Sequence, residues 1–285
     1  MRGWWQDLTD LVLPAECGGC GRPRTVLCPE CRAALHGSAP RRVRPVPEPA
    51  GLPVVHAAGP YEGAVRAMLL AHKERGVLTL ARPLGEALAG SVRAGLGEAG
   101  ERAGGARPPV LLVPVPSSRR TVRARGHDPA RRIALAAAGE LRRTGTAARV
   151  AAVLRQRRAV ADQSGLGSRQ RLVNLAGALE VADGGVGLLA DAPVVLVDDL
   201  MTTGASLAEA ARAVRAVIGH PRMRDTEVYA RVAGEARGER SAREATGVAA
   251  RARSSSTKSA GHGAANGIRA AVIAAPRDSF EFNRN

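Results

Sequence analysis

Two carboxylates and a short hydroxyl-and-glycine run, Asp198-Asp199-Leu200-Met201-Thr202-Thr203-Gly204-Ala205-Ser206, carry the clearest chemistry of the chain. Asp198 and Asp199 can accept hydrogen bonds from a pair of sugar hydroxyls. Thr202, Thr203, Gly204, Ala205 and Ser206 are small enough for a phosphate to approach backbone N–H groups at the start of a helix, where the helix dipole also favours an anion. Val194 to Val197, just before them, read as a strand buried on both faces. The acids therefore stand at a strand's carboxyl end, where open α/β sheets bind ligands. A phosphate cradle beside a diol clamp points to a ribose 5-phosphate. The plainer reading, a buried strand ending in a solvated turn, gives no packing reason for two acids followed by Thr-Thr-Gly.

A second constellation lies near the N-terminus. Cys17-Gly18-Gly19-Cys20 and Cys28-Pro29-Glu30-Cys31 hold all four cysteines of the chain in two tight knuckles. Four thiolates at this spacing complete a tetrahedral Zn²⁺ site, and with no open coordination position such a zinc folds a segment rather than catalyses. An iron–sulfur cluster calls for other spacings, and disulfides for an oxidising compartment.

These residues need elements to position them. Met1 to Leu13 reads as a short amphipathic helix, interrupted by Asp7 and Asp10 and so unlike a signal peptide. Pro40 to Pro53 reads as a semi-rigid linker, with an α/β domain starting near Val54. Helices are predicted over Tyr61 to Glu74 and Leu78 to Leu96, and a buried strand over Val110 to Val115. The loop Ser117-Ser118-Arg119-Arg120 follows that strand, and its hydroxyls and guanidinium groups suit a second phosphate contact. Asp128 reads as an N-cap with Pro129 at the first helical position, opening a helix to about Arg142. A short strand near Arg149 to Leu154 and a polar, Gly-bearing excursion over Ala161 to Leu175 lead to the Val194 strand. Arg269 to Ala275 supplies a last strand. The 219–267 interval is far longer than an ordinary αβ connection, and its low-complexity second half predicts a disordered insertion.

Composition sets the outer bounds. The 285 residues carry a net charge of +16, which admits a polyanionic partner. Only Lys73 and Lys258 are lysines, so the excess of arginine equally fits codon bias, and with 2% aromatics there is little to stack on single-stranded bases. No apolar run reaches the roughly 18 residues of a membrane span, and a cytoplasmic protein without membrane insertion is expected.

The Val194–Ser206 segment resembles the phosphoribosyl-pyrophosphate (PRPP) signature of type I phosphoribosyltransferases. With the cysteine knuckles, Lys73, Val113-Pro114-Val115-Pro116, Arg125-Gly126, and Gln163 with Arg171 and Asn174, the chain is similar to the ComF family (competence protein F). The likeness runs from about residue 8 to 218 plus the last strand. It implies an α/β type I phosphoribosyltransferase fold, a mostly parallel sheet flanked by helices, over 54–218 plus 268–285, with a small zinc ribbon in 1–38. By that resemblance Thr202 to Ser206 hold the 5-phosphate, Asp198 and Asp199 the ribose hydroxyls, and Ser117, Ser118 and Arg119 the pyrophosphate. Mg²⁺ then bridges pyrophosphate and ribose oxygens. Arg171 is the candidate for stabilising charge in the transition state, and Lys73 either contacts a phosphate or ends its helix. The family commonly has Gly-Phe-Asn-Gln where this chain has Gly126-His127-Asp128-Pro129, and the 219–267 insertion lies outside its pattern. The resemblance names no acceptor and no oligomeric state. Three functions stay open: an enzyme moving phosphoribose to a nucleophile, a natural-transformation (DNA-uptake) accessory binding single-stranded DNA or a competence helicase, and a PRPP-sensing regulator.

Overall fold

The computed structural model describes residues 16–97, 108–158, 167–190, 192–218 and 267–280. Within them lie eight strands: β1 (Arg41–Val43), β2 (Val55–Pro60), β3 (Val110–Pro114), β4 (Ala148–Val150), β5 (Leu154–Gln156), β6 (Leu179–Val181), β7 (Val194–Leu200) and β8 (Arg269–Ala275). The α-helices are α1 (Pro29–His36), α2 (Gly63–Lys73), α3 (Ala81–Gly97), α4 (Arg119–Arg125), α5 (Pro129–Arg143), α6 (Ser168–Leu175), α7 (Val186–Leu189) and α8 (Ala205–Ile218). The Met1–Leu13 helix, and the 219–267 insertion up to residue 266, lie outside the described residues.

Six strands form one sheet in the order β1-β2-β8-β7-β3-β4, parallel throughout except for the antiparallel β1 edge. Such a sheet is stable when both faces are covered, and the period-two alternation of strands divides the core accordingly. Val195, Val197, Ala271 and Ile273 point into one layer with α2, α3 and α5; Val194, Leu196, Ala270 and Val272 point into the other with α8. β5 and β6 form a separate antiparallel pair.

The course of β3 matters most for a ligand. The chain leaves β3 towards β4 on one side, while β7 lies on the other side and leads on to β8. Crossovers that diverge from two adjacent strands open a crevice at their carboxyl ends. Pro114 pairs with Val197, and the Val115 N–H donates to the Val197 carbonyl at 2.9 Å. The exits of β3 and β7 therefore stand side by side.

Four elements differ from the sequence expectation. Arg119 and Arg120 belong to α4 rather than to a loop: Ser118 Oγ accepts from the Thr121 N–H at 3.0 Å as an N-cap, and Gly126, at φ 73°, ends the helix. The single strand expected near Arg149–Leu154 is two strands in two different sheets. Ser168–Leu175, expected within a polar excursion, is helical, while residues 159–166 of that excursion lie outside the described residues. Within the expected linker, Arg41–Val43 joins the sheet as the β1 edge, taking its backbone partners from β2. Asp128 and Pro129 do open α5, with Asp128 Oδ1 accepting from the Arg131 N–H at 3.1 Å.

Candidate functional site

β7 is buried through Val194–Val197, then delivers Asp198, half-buried, and Asp199, buried, to the crevice. Alternation sends the two carboxylates to opposite faces. Asp199 shares the parity of Val195 and Val197 and meets Lys73 from the end of α2, with Nζ 2.9 Å from Oδ2. Burial works against the Lys73 ammonium, but the charges of Asp199 and Asp198 outweigh it and raise its pKa. Asp198 turns back on its own strand, its Oδ1 accepting the Asp199 N–H at 2.9 Å. Burial and the neighbouring Asp199 carboxylate push the Asp198 carboxyl well above the usual aspartate range, against the pull of Lys73. Among the described residues, Lys73 forms an ion pair with Asp199 at this strand end, and Asp198 forms none.

Past β7 the chain makes a bend over residues 202–204 and enters α8 at Ala205. Thr202 is exposed, Thr203 and Ser206 are half-buried, and Gly204 and Ala205 are buried. Gly204 has φ 73°, open to glycine at little cost, and a Cβ there would come within 3.1 Å of Leu52 and 3.3 Å of Pro45. Glycine thus lets the 202–206 loop lie flat against the chain segment after β1. The first-turn N–H groups of α8 have no intrahelical acceptor. Ala205 N–H points at Thr203 Oγ1, 3.4 Å away.

Arg171, on α6, reaches this loop from 31 positions earlier: its Nη1 donates to Thr202 Oγ1 at 3.2 Å. Its Nε is buried and without a hydrogen-bond partner among the described residues. On the β3 side, Ser117 is half-buried at the mouth, Ser118 caps α4, and Arg119 is the first residue of that helix. Gln163 lies outside the described residues.

Three features of the site were not read from the sequence. Arg125 Nη2 donates to both carboxylate oxygens of Glu74, at 2.6 and 2.7 Å, tying the end of α4 to the end of α2 beside Lys73. His72 and His127 meet edge-on with ring centroids 5.7 Å apart, and burial, with His127 and Arg132 nearby, lowers the His72 pKa. Glu209 and Arg212 of α8 bind the backbone after α6. In sequence the only signal for any of these was the Arg125-Gly126 pair.

The four cysteines gather as their spacing implies, with all four sulfurs within 4.8 Å of one another. Cys20 Sγ and Cys28 Sγ lie 3.6 Å apart, close to the roughly 3.8 Å that tetrahedral Zn–S bonds of about 2.3 Å impose. The Cys28 N–H points at Cys17 Sγ and the Cys31 N–H at Cys28 Sγ. Burial raises the Cys17 thiol, but the N–H groups of Cys28, Cys20 and Gly19 outweigh it and bring its pKa down to about 6. The donor set fits a four-thiolate metal centre.

No helix among the described residues is long and apolar enough to cross a membrane. No protein-family model matches the chain, and no curated protein matches it.

Proposed function

We propose that the crevice between the exits of β3 and β7 binds PRPP as its Mg²⁺ complex and transfers phosphoribose from it, and that the cysteine centre holds structural zinc. The observation that carries the reading is the convergence on one crevice of the Asp198–Asp199 strand end, the start of α8 and Arg171, joined through Thr202. In this reading the N–H groups at the start of α8 take the 5-phosphate, and Asp198 and Asp199 accept from the ribose hydroxyls. Ser117, Ser118 and Arg119 line the pyrophosphate.

Transfer breaks the bond between C1 and the pyrophosphate oxygen, which leaves with the electron pair, as an acceptor's lone pair forms the new bond to C1. Positive charge builds on the ring and negative charge on the leaving group. Mg²⁺ brought in with PRPP would supply neutralisation of the pyrophosphate charge. The protein's share is to hold the ribose and to set the Arg171 guanidinium at Thr202 of the cradle, which supplies preorganised electrostatic stabilisation rather than base catalysis. Lys73 offsets the charge of Asp199 at the acidic strand end.

The test is calorimetry with PRPP and Mg²⁺, alongside pyrophosphate release over a panel of nucleobases. Asp199→Asn is expected to lose PRPP affinity at least tenfold while keeping a native circular-dichroism spectrum, since a charge-assisted hydrogen bond of about 1.5–3 kcal/mol goes. Unchanged affinity refutes the diol-clamp assignment. Pyrophosphate release from none of the panel at saturating PRPP counts against transfer and leaves binding without turnover.

A further inference from the structure

α8 carries more than the phosphate loop. Ala205, Glu209 and Arg212 stand at i, i+4 and i+7, on one side of the helix that starts at the cradle. Glu209 is 6% exposed, an unusual place for a carboxylate without partners. Its Oε1 accepts the Leu179 N–H at 3.0 Å and takes Arg212 Nη2 at 2.7 Å, while Oε2 takes Arg212 Nε at 2.8 Å. Arg212 Nη2 also donates to the Leu179 carbonyl at 2.8 Å. Both backbone groups of one residue, the first of β6, are thus read by a single ion pair.

Leu179 lies four residues beyond the end of α6, and the intervening turn is itself fastened. Arg158 Nη2 donates to the Asn174 and Ala176 carbonyls at 2.9 and 3.0 Å, closing the C-terminal end of α6. α6 packs on α8 and sends Arg171 to Thr202. The helix that bears Arg171 is therefore tied twice, at its tail to α8 through Leu179 and in its first turn, through Arg171 itself, to the loop that leads into α8. α8 and the short loop before it connect both ties.

We infer that Glu209 and Arg212 are positioning residues that set Arg171 against the cradle by anchoring the α6–β6 junction to the helix that forms the cradle. This rests on the proposed PRPP site for its functional consequence, though not for the anchoring. A guanidinium displaced by about an ångström loses a large part of a directed electrostatic contact.

Arg212 is half-exposed, so Arg212→Ala removes the donor to the Leu179 carbonyl, and the partner that holds the Glu209 carboxylate against the Leu179 N–H, without opening the core. With PRPP and Mg²⁺ as the calorimetric probe, Arg212→Ala is expected to weaken binding about tenfold in the otherwise unaltered chain and less than twofold in an Arg171→Ala background. Arg212→Lys, which keeps a donor beside Glu209, is expected to fall between Arg212→Ala and the parent. Equal losses in both backgrounds overturn the inference, because a general structural defect does not need Arg171 to be felt. A second readout is independent of the ligand: amide exchange over residues 168–179 is expected to quicken at least tenfold in Arg212→Ala. Unchanged exchange overturns the anchoring whether or not PRPP binds, whereas quickened exchange in a chain that binds no PRPP leaves the anchor standing and refutes the proposed site.

Discussion

Asp198 and Asp199 are neighbours with opposite circumstances. Asp199 has Lys73 at 2.9 Å, while Asp198 has a backbone N–H and a like charge beside it. The raised Asp198 pKa means that the folded protein binds a proton which the unfolded chain has already released. Stability from the protonated carboxyl is complete below the ordinary aspartate pKa and is lost as pH rises through the folded-state value. Asp198→Asn removes that loss. The expected outcome is a higher melting temperature than the parent at pH 7–8, by about 2–4 °C for each kcal/mol relieved, with the difference shrinking towards about pH 4. PRPP affinity is expected to fall in the same variant. Thermal unfolding across that pH range checks the first point and calorimetry the second; a variant less stable than the parent at pH 8 refutes the electrostatic account.

Elements carrying apolar periodicity or a strong cap were legible in the sequence, and elements made by tertiary pairing were not. β7 announced itself by four buried aliphatics running into two acids, and α5 by Asp128-Pro129. β8 matches its expected range from Arg269 to Ala275. α4 did not announce itself, because Ser-Arg-Arg-Thr has no apolar stripe and its helix rests on a cap and an αL glycine. β1 is equally silent: Arg41-Arg42-Val43 becomes a strand because β2 offers it an edge. In the site, Asp198, Asp199 and the Thr202–Ser206 run were legible from adjacency, whereas Lys73 on Asp199 spans 126 positions and no spacing rule reaches that far. The aromatic-poor composition does have an element-scale consequence. α3 and α5 approach closely enough that a Cβ on Gly85 would sit 2.5 Å from Ala136 Cβ and 2.8 Å from the Ala137 nitrogen. Backbone cannot yield as a side-chain tip can, so Gly85→Ala is expected to cost about 1–3 kcal/mol in denaturant unfolding. PRPP affinity should stay within about twofold, because neither helix contributes a cradle or diol residue; a neutral substitution contradicts the close-packing account.

At the scale of the whole molecule, the cysteine centre is part of the main core rather than an appendage. Cys17, Cys28 and Cys31 are buried in the same cluster as Met68 and Leu69 of α2 and Leu84 and Leu88 of α3. Gly18 lies flat against Leu80, and Gly19 against Cys31 Sγ and Ala64, each with no room for a Cβ. Gly19 of the first knuckle thus meets α2 at Ala64, near its start, and α2 presents Lys73 to Asp199 at its end. Structural zinc sites of this kind are worth on the order of 10 kcal/mol of apparent folding energy in isolated peptides. If the metal held only a ribbon, chelation would melt a small unit and leave the sheet untouched. Packing this continuous predicts otherwise. Removing the metal with a strong chelator, or substituting Cys31→Ser, is expected to lower the melting temperature of a single cooperative transition by at least about 10 °C. PRPP affinity should fall with it at temperatures where the sheet is still folded, since α2, which carries Lys73 at its end, loses packing at its start. Calorimetric scans with and without chelator, paired with binding at 20 °C, read both effects; two separate transitions with unchanged affinity would mean that knuckles and crevice are energetically independent.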